Sequence, residues 1–209
     1  MKLWIILAGA VIAFLLILFV RAEWCKWNGR KLIKKTDTYA QDRKDYYCER
    51  LSKMIACETV SRKDKFEPEE FLKLRNVIRE LFPTVSKQAE MKYFSDDCYF
   101  YKLSGADEKR NVMLMSHHDV VAAEGEWKYP LFAGKIAEDC IWGRGTVDTK
   151  TPLFAEFSAL EELLKEGWNP PCNIYLVSSH NEEIAGDGVE KVLKYLEEKH
   201  LTFDWILDE

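Results

Sequence analysis

The second half of the chain alternates apolar strand-like runs with amphipathic helix-like runs, and this alternation constrains the fold more than any other feature. "NVMLM" (111–115) and "CNIYLVSS" (172–179) are short, continuous apolar segments of the kind found in sheets covered on both faces. Between them lies "TPLFAEFSALEELLKEG", in which Leu153, Phe157, Leu160 and Leu164 recur on one helical face. Thr151 suits the N-cap of that helix, Pro152 its first position and Gly167 its end. A second helical stretch, "GVEKVLKYLEEKH", gathers Val189, Val192, Leu193 and Leu196 on one side and is followed by "FDWILDE", a further strand. Strand, helix, strand, helix, strand predicts an α/β fold with a central, largely parallel or mixed sheet flanked by helices.

Upstream, helices are expected at about Asp42–Cys57 and Pro68–Phe82, the latter with Glu69 and Glu70 in its first turn and Pro83 at its end. "CYFYKLSG" reads as a strand before a turn. The first twenty residues are different material. From Leu3 to Val20 there is no charge, and as a helix this run is about 27 Å long, close to the thickness of a bilayer's hydrocarbon core. It reads as a transmembrane anchor or as a signal segment cut after Ala22. The expected organisation is therefore 1–22 anchor or signal, 23–38 polar linker, and 39–209 the α/β domain. Arg21, Lys26, Arg30, Lys31, Lys34 and Lys35 outweigh Lys2 on the other flank, which favours a cytoplasmic domain, with a secreted or lumenal one as the alternative. A net charge of −5 leaves no nucleic-acid footprint. The six cysteines are widely spaced with no CxxC, so they suggest neither a zinc ribbon nor a thioredoxin motif. They read as free thiols, or as a disulfide or two in an outward-facing domain.

The acids and histidines gather at predicted strand ends. His117 and Asp119 follow "NVMLM", Glu182 and Glu183 follow "NIYLVSS", Asp208 ends "WIL", and Asp148 lies in the loop after "WGRG". That edge is where open α/β sheets bind ligands. One imidazole with several carboxylates suits zinc, or cobalt or manganese, better than calcium. A carboxylate-rich set also suits two ions about 3.5–4 Å apart that share a carboxylate and a water, with a neighbouring acid as general base. In extended chain, residues i and i+2 share a side, so His117 and Asp119 point together and His118 points away.

Taken in order, "LMSHHDVV", "WKYPLFAGKIAEDCIWGRGTVDTK", "NEEIAGDG" and "WILDE" resemble the dinuclear zinc hydrolase family of glutamate carboxypeptidase, carboxypeptidase S, aminoacylase and the desuccinylases. The long block looks most like the carboxypeptidase S and N-fatty-acyl-amino-acid hydrolase branch, and the resemblance runs from about Tyr39 to Glu209. It implies a metallohydrolase that cleaves amide bonds of peptides or N-acyl amino acids through a metal-bridging water, which with the apolar run at Leu3–Val20 makes the expected enzyme membrane-anchored. It implies two divalent ions, zinc first. By position, His117 would ligate one ion and Asp119 would orient it. Asp148 would bridge both ions, and Glu182 would be the general base. Glu183 would bind the second ion and Asp208 would complete the first. His180 and His200 match no ligand position and are expected in the core or at the rim.

The sequence departs from the family pattern at Ser116 and Asn181, where glycine and an acid are usual, and in stopping at Glu209. The family continues into a lid domain, used for dimerisation and substrate binding, and supplies a last histidine ligand afterwards. The expectation is thus an amino-terminal part of such an enzyme, poorly stable and inactive alone, with an unpaired sheet edge. The alternative is a catalytically inactive domain that binds metal or a partner.

Overall fold

A computed structural model describes residues 2–33 and 41–209, in two compact units, Met1–Asp45 and Tyr46–Glu209. In the first unit, α1 spans Lys2–Ile33. Its side chains from Val11 to Val20 are exposed. Among the described residues no helix is long and apolar enough to cross a membrane. The run Leu3–Val20 lies partly outside them, because the side chains of 2–8 and 10 are not described. The segment expected as a linker is helical as far as Ile33, and its remainder lies outside the described residues. "EWCKWNGRKLI" contains no proline, so every residue keeps the N–H that lets a helix already nucleated continue, past the weak formers Asn28 and Gly29.

The second unit is built on a five-stranded sheet. Its strands are β1 (Glu90–Phe94), β2 (Cys98–Leu103), β3 (Asp107–His117), β6 (Cys172–Ser179) and β7 (Trp205–Asp208), in the order β1-β2-β6-β3-β7. β2 runs antiparallel to both β1 and β6, whereas β6, β3 and β7 are parallel. The sheet is therefore mixed. β6 is buried along its whole length, as its unbroken apolar run demands. β3 is longer than "NVMLM": Asp107–Arg110 extends it as exposed chain, set off by a register shift before Asn111.

Helices cover both faces. On one side α2 (Gln41–Ile55), α3 (Pro68–Leu81), the short α4 (Pro83–Gln88) and α5 (Lys150–Lys165) pack Met54, Ile78, Phe82 and Phe157 on Tyr99, Tyr101, Ile174 and Leu176. Phe82 and Phe157 stack at 5.1 Å. On the other side α6 (Gly188–Glu198) sets Val192 and Leu196 against Cys98, Phe100, Met113, Tyr175 and Val177. Residues alternate between these two cores along β2, as the pleat requires. Leu193, expected on the inner face of α6, is half exposed, and Tyr195 packs there on Phe94 and Phe100 instead.

Local signals were met with shifts. α2 stops at Ile55, and Pro83 not only follows α3 but opens α4, where its missing N–H costs nothing. α5 begins at Lys150 with Thr149 as the cap residue, so Thr151 is not the N-cap and donates its hydroxyl to the Thr146 carbonyl. The cause is tertiary: the Lys150 ammonium is fully buried and donates to the carbonyls of Met54 and Cys57, drawing the helix start inward. Gly167, at φ +82°, ends α5 as expected, with Trp168 N–H bonded to the Leu163 carbonyl. A small hairpin, β4 (Lys135–Ala137) and β5 (Cys140–Trp142), precedes the Asp148 loop. It turns at Glu138 and Asp139, both at positive φ, a pair without the usual glycine signal.

Candidate metal centre

The carboxyl ends of β3 and β6 lie side by side, His117 in register with Ser179. The chain beyond β3 is held extended: Val120 N–H donates to the Thr59 carbonyl and Ser61 N–H to the Val120 carbonyl. Side chains therefore alternate through 117–119. His117 Nδ1 donates to the Asp119 carbonyl at 2.9 Å and lies 3.3 Å from Asp119 Oδ1. With Nδ1 turned to Asp119, the imidazole aims Nε2 outward at the surrounding acids, as the ring atom that can ligate an ion.

The Asp119 carboxylate is fully buried and does more than orient the ring. Oδ1 accepts the Glu182 N–H and Oδ2 the Glu183 N–H, each at 3.1 Å. One carboxylate thus ties the end of β3 to the loop after β6. Burial alone would raise its pKa, but the bonds from His117 and Ser61 hold it below the usual value, so it stays ionised.

Around His117 Nε2 lie Asp148 Oδ1 at 2.9 Å, Glu209 Oε1 at 3.6 Å and Glu182 Oε2 at 3.8 Å. His117, Asp148 and Glu209 each offer one ligand atom within 4.8 Å of the others. Burial would lower the His117 pKa, yet Asp119 and Asp148 outweigh it and raise it to about 9. Glu183 is raised by burial and then by Asp148, and Glu209 by burial and then by Glu182 and Asp148. Crowded acids around one imidazole are the electrostatic condition that a cation relieves.

Of the expected residues, the structure gathers His117, Asp119, Asp148, Glu182 and Glu183 at one edge. Among the described residues the three-ligand group does not contain Asp208. Asp208, on β7, pairs in register with Met115 on β3, and the next residue, Glu209, donates its N–H to the Met115 carbonyl and reaches His117. Side chains alternate along a strand, so only one of two adjacent acids reaches a given point, and the text "WILDE" does not say which.

His118 lies on the opposite face, as alternation predicts. It stacks on Tyr99 at 4.2 Å, meets Ser178 Oγ at 2.8 Å, and has Nε2 3.6 Å from Asp97, which is ion-paired with Arg75. Burial pushes its pKa down to about 3, so it is neutral. His180 is buried near Phe66 and Phe71, and His200 is exposed at the end of α6. Both fit the expected core or rim placement.

Fold and site together define a class: a mixed α/β domain that carries an imidazole and converging carboxylates at the carboxyl edge of its parallel strands. Comparison with known proteins points the same way. Residues 113–209 match the sequence model of peptidase family M20/M25/M40 and carry that family's sequence. A probable carboxypeptidase S-like protein of Dictyostelium discoideum is 34% identical over 77% of this chain and 33% of its own length. An N-fatty-acyl-amino acid synthase/hydrolase of Xenopus tropicalis is 31% identical over 88% of this chain and 37% of its own. The chain thus spans about a third of the length of these curated relatives. The fold is shared with human carnosine dipeptidase 1 (TM-score 0.67, 18% identity, 79% of this chain and 38% of that one). It is also shared with an M20 family metallo-carboxypeptidase of Sulfolobus solfataricus (TM-score 0.64, 23% identity, 78% and 37%). A third such structure is a Bacillus subtilis protein described as a dinuclear metal binding peptidase from the M20 family (TM-score 0.53, 16% identity, 78% and 43%).

Proposed function

We propose that this chain serves a metal-dependent hydrolase acting on an amide bond next to a free carboxylate, in peptides or N-acyl amino acids. The observation that carries the reading is the Asp119 carboxylate, which holds His117 and the backbone of Glu182 and Glu183 in one frame. The names of the carboxypeptidase S-like and N-fatty-acyl-amino acid relatives support the substrate class.

The residues fit a divalent ion: one imidazole nitrogen and two carboxylate oxygens converge within 4.8 Å, a donor set suited to zinc and also to cobalt or manganese. Two ions are proposed, and the description of the Bacillus subtilis structure supports the count. Bound there, such ions supply a Lewis acid that polarises the substrate carbonyl and acidifies water. His117 Nε2 would hold one ion, Asp148 would bridge, Glu183 would serve the second, and the β7 edge would contribute Glu209 or its neighbour Asp208. Asp119 keeps the His117 proton on Nδ1. Glu182, half exposed and 3.8 Å from Nε2, takes a proton from the attacking water and passes it to the leaving amine.

The test is Glu182→Gln in the complete gene product. Metal content, read by plasma mass spectrometry, is expected to stay unchanged while turnover of an N-acyl amino acid falls by about two orders of magnitude or more. Unchanged turnover ends the assignment.

We further propose that residues 3–20, within α1, anchor the protein in a membrane. The charge-free run Leu3–Val20 and the exposed apolar side chains from Val11 to Val20 support it. Alkaline carbonate extraction should leave the protein in the membrane pellet, and release into the supernatant would refute the anchor.

A further inference from the structure

The "GRG" segment contains Arg144, to which the proposed chemistry assigns no role. Beside the carboxylate cluster is a cavity of about 310 Å³ whose lining includes Asp148, Arg144, Trp127, Tyr129 and Trp142. Its walls are aromatic. Tyr129 and Trp142 lie 5.4 Å apart, and Trp142 Nε1 donates to the Ala137 carbonyl at 3.0 Å, so the polar edge of the indole is already tied.

Two cations touch these walls. Lys128 lies over the Trp142 ring at 5.1 Å, and its charge is matched by Glu138, 2.5 Å away. Arg144 differs. Its guanidinium lies 5.2 Å from the Trp127 ring centre, and its Nε is buried without a hydrogen-bond partner. Among the described residues no carboxylate forms an ion pair with it. A guanidinium resting on an indole keeps its N–H edge free, and that planar fork matches a carboxylate. At roughly 30 Å³ per water-sized group, the cavity holds on the order of ten heavy atoms. That suits one large amino acid and is too small for a long acyl chain.

We propose that this cavity receives the free-carboxylate amino acid of the substrate, with Arg144 pairing with the carboxylate and Trp127, Tyr129 and Trp142 enclosing an apolar side chain. The proposal rests on the hydrolase reading above and narrows it to amides of large apolar or aromatic amino acids. Arg144 is a specificity residue here, and the bond-breaking stays with Glu182.

The test is equilibrium binding, by calorimetry on the metal-loaded complete gene product, of 3-phenylpropanoate and of 3-phenylpropanol, neither of which has an amide to cleave. The wild type is expected to prefer the carboxylate at least tenfold. Arg144→Gln should erase the preference by weakening the carboxylate alone, while Arg144→Lys keeps part of it. Trp142→Leu should weaken both ligands and leave their ratio intact. A wild type that binds neither ligand or shows no preference overturns the proposal. So does an Arg144→Gln variant that keeps the preference or loses both ligands equally. If Glu182→Gln leaves turnover unchanged while the Arg144-dependent preference holds, the assignment of the base falls and the subsite stands. The converse result removes the subsite alone.

Discussion

Asp119 Oδ1 stands 3.3 Å from His117 Nδ1 while the two oxygens of that carboxylate accept the N–H groups of Glu182 and Glu183. The orientation of the proposed ligand His117 and the position of the proposed general base Glu182 therefore depend on one buried anion. Replacing Asp119 with Asn removes the charge and half the acceptor capacity. Metal affinity, read by competition with a chromophoric chelator, is expected to fall by about 10–100-fold. An affinity within twofold of wild type would show that the ring needs no such partner.

Asp97 is fully buried and ion-paired with Arg75, whose side chain is partly exposed. Asp97→Ala strands a cation beside His118 and Tyr99. Removing one member of a buried pair costs about 3 kcal/mol or more. Urea denaturation should show the midpoint falling by the corresponding amount, and an unshifted midpoint would remove the pair from the account.

Phe157 is fully buried on α5 and stacks on Phe82. Phe157→Ala opens a cavity between helix and sheet and is expected to cost about 3–5 kcal/mol, while Phe157→Leu should cost much less. Denaturation of both variants, compared side by side, measures the difference.

Glu156 is buried with its Oε2 accepting the Ser116 hydroxyl at 2.9 Å, and burial raises its pKa from 4.5 to about 7. A carboxyl whose folded pKa is raised stabilises the fold below the unfolded pKa and loses that contribution as pH rises toward 7. In chelator-treated protein, Glu156→Gln should therefore gain stability relative to wild type between about pH 5 and pH 8. The full gain is on the order of 3 kcal/mol. A stability difference flat in pH would refute the buried ionisation.

Removing metal should also be visible. The carboxylates of Asp148, Glu182 and Glu209 crowd the His117 ring, and a bound cation offsets their repulsion. Chelation is expected to lower the melting temperature, and readdition of zinc to restore it. Equal melting curves with and without zinc would argue against a tight site.

Much of this was legible in the residues. β6, α5 and α6 follow from apolar runs and helical periodicity, and the alternation of His117, His118 and Asp119 alone placed His117 with Asp119 and His118 on the other face. β1 was not legible, because "EMKYF" alternates charged and apolar residues too weakly to stand apart from loop, and it becomes a strand only by pairing with β2. The β4–β5 hairpin turns on Glu138 and Asp139, which carry no turn signal. Nor did any local pattern announce that Lys150 would be buried, or that Arg75 and Asp97 would pair behind the site.

The sequence by itself determined the α/β alternation, the placement of acids and histidines at strand ends, and the side to which His117 points. Those are matters of period and order, which a single chain segment carries. Only the tertiary structure decided that β2 runs antiparallel to both of its neighbours, β1 and β6, that Glu209 rather than Asp208 reaches the imidazole, and that Arg144 lies against Trp127 with no carboxylate paired to it among the described residues. Each of those depends on distances between segments far apart in the chain, and these are set when the two faces of the sheet are packed.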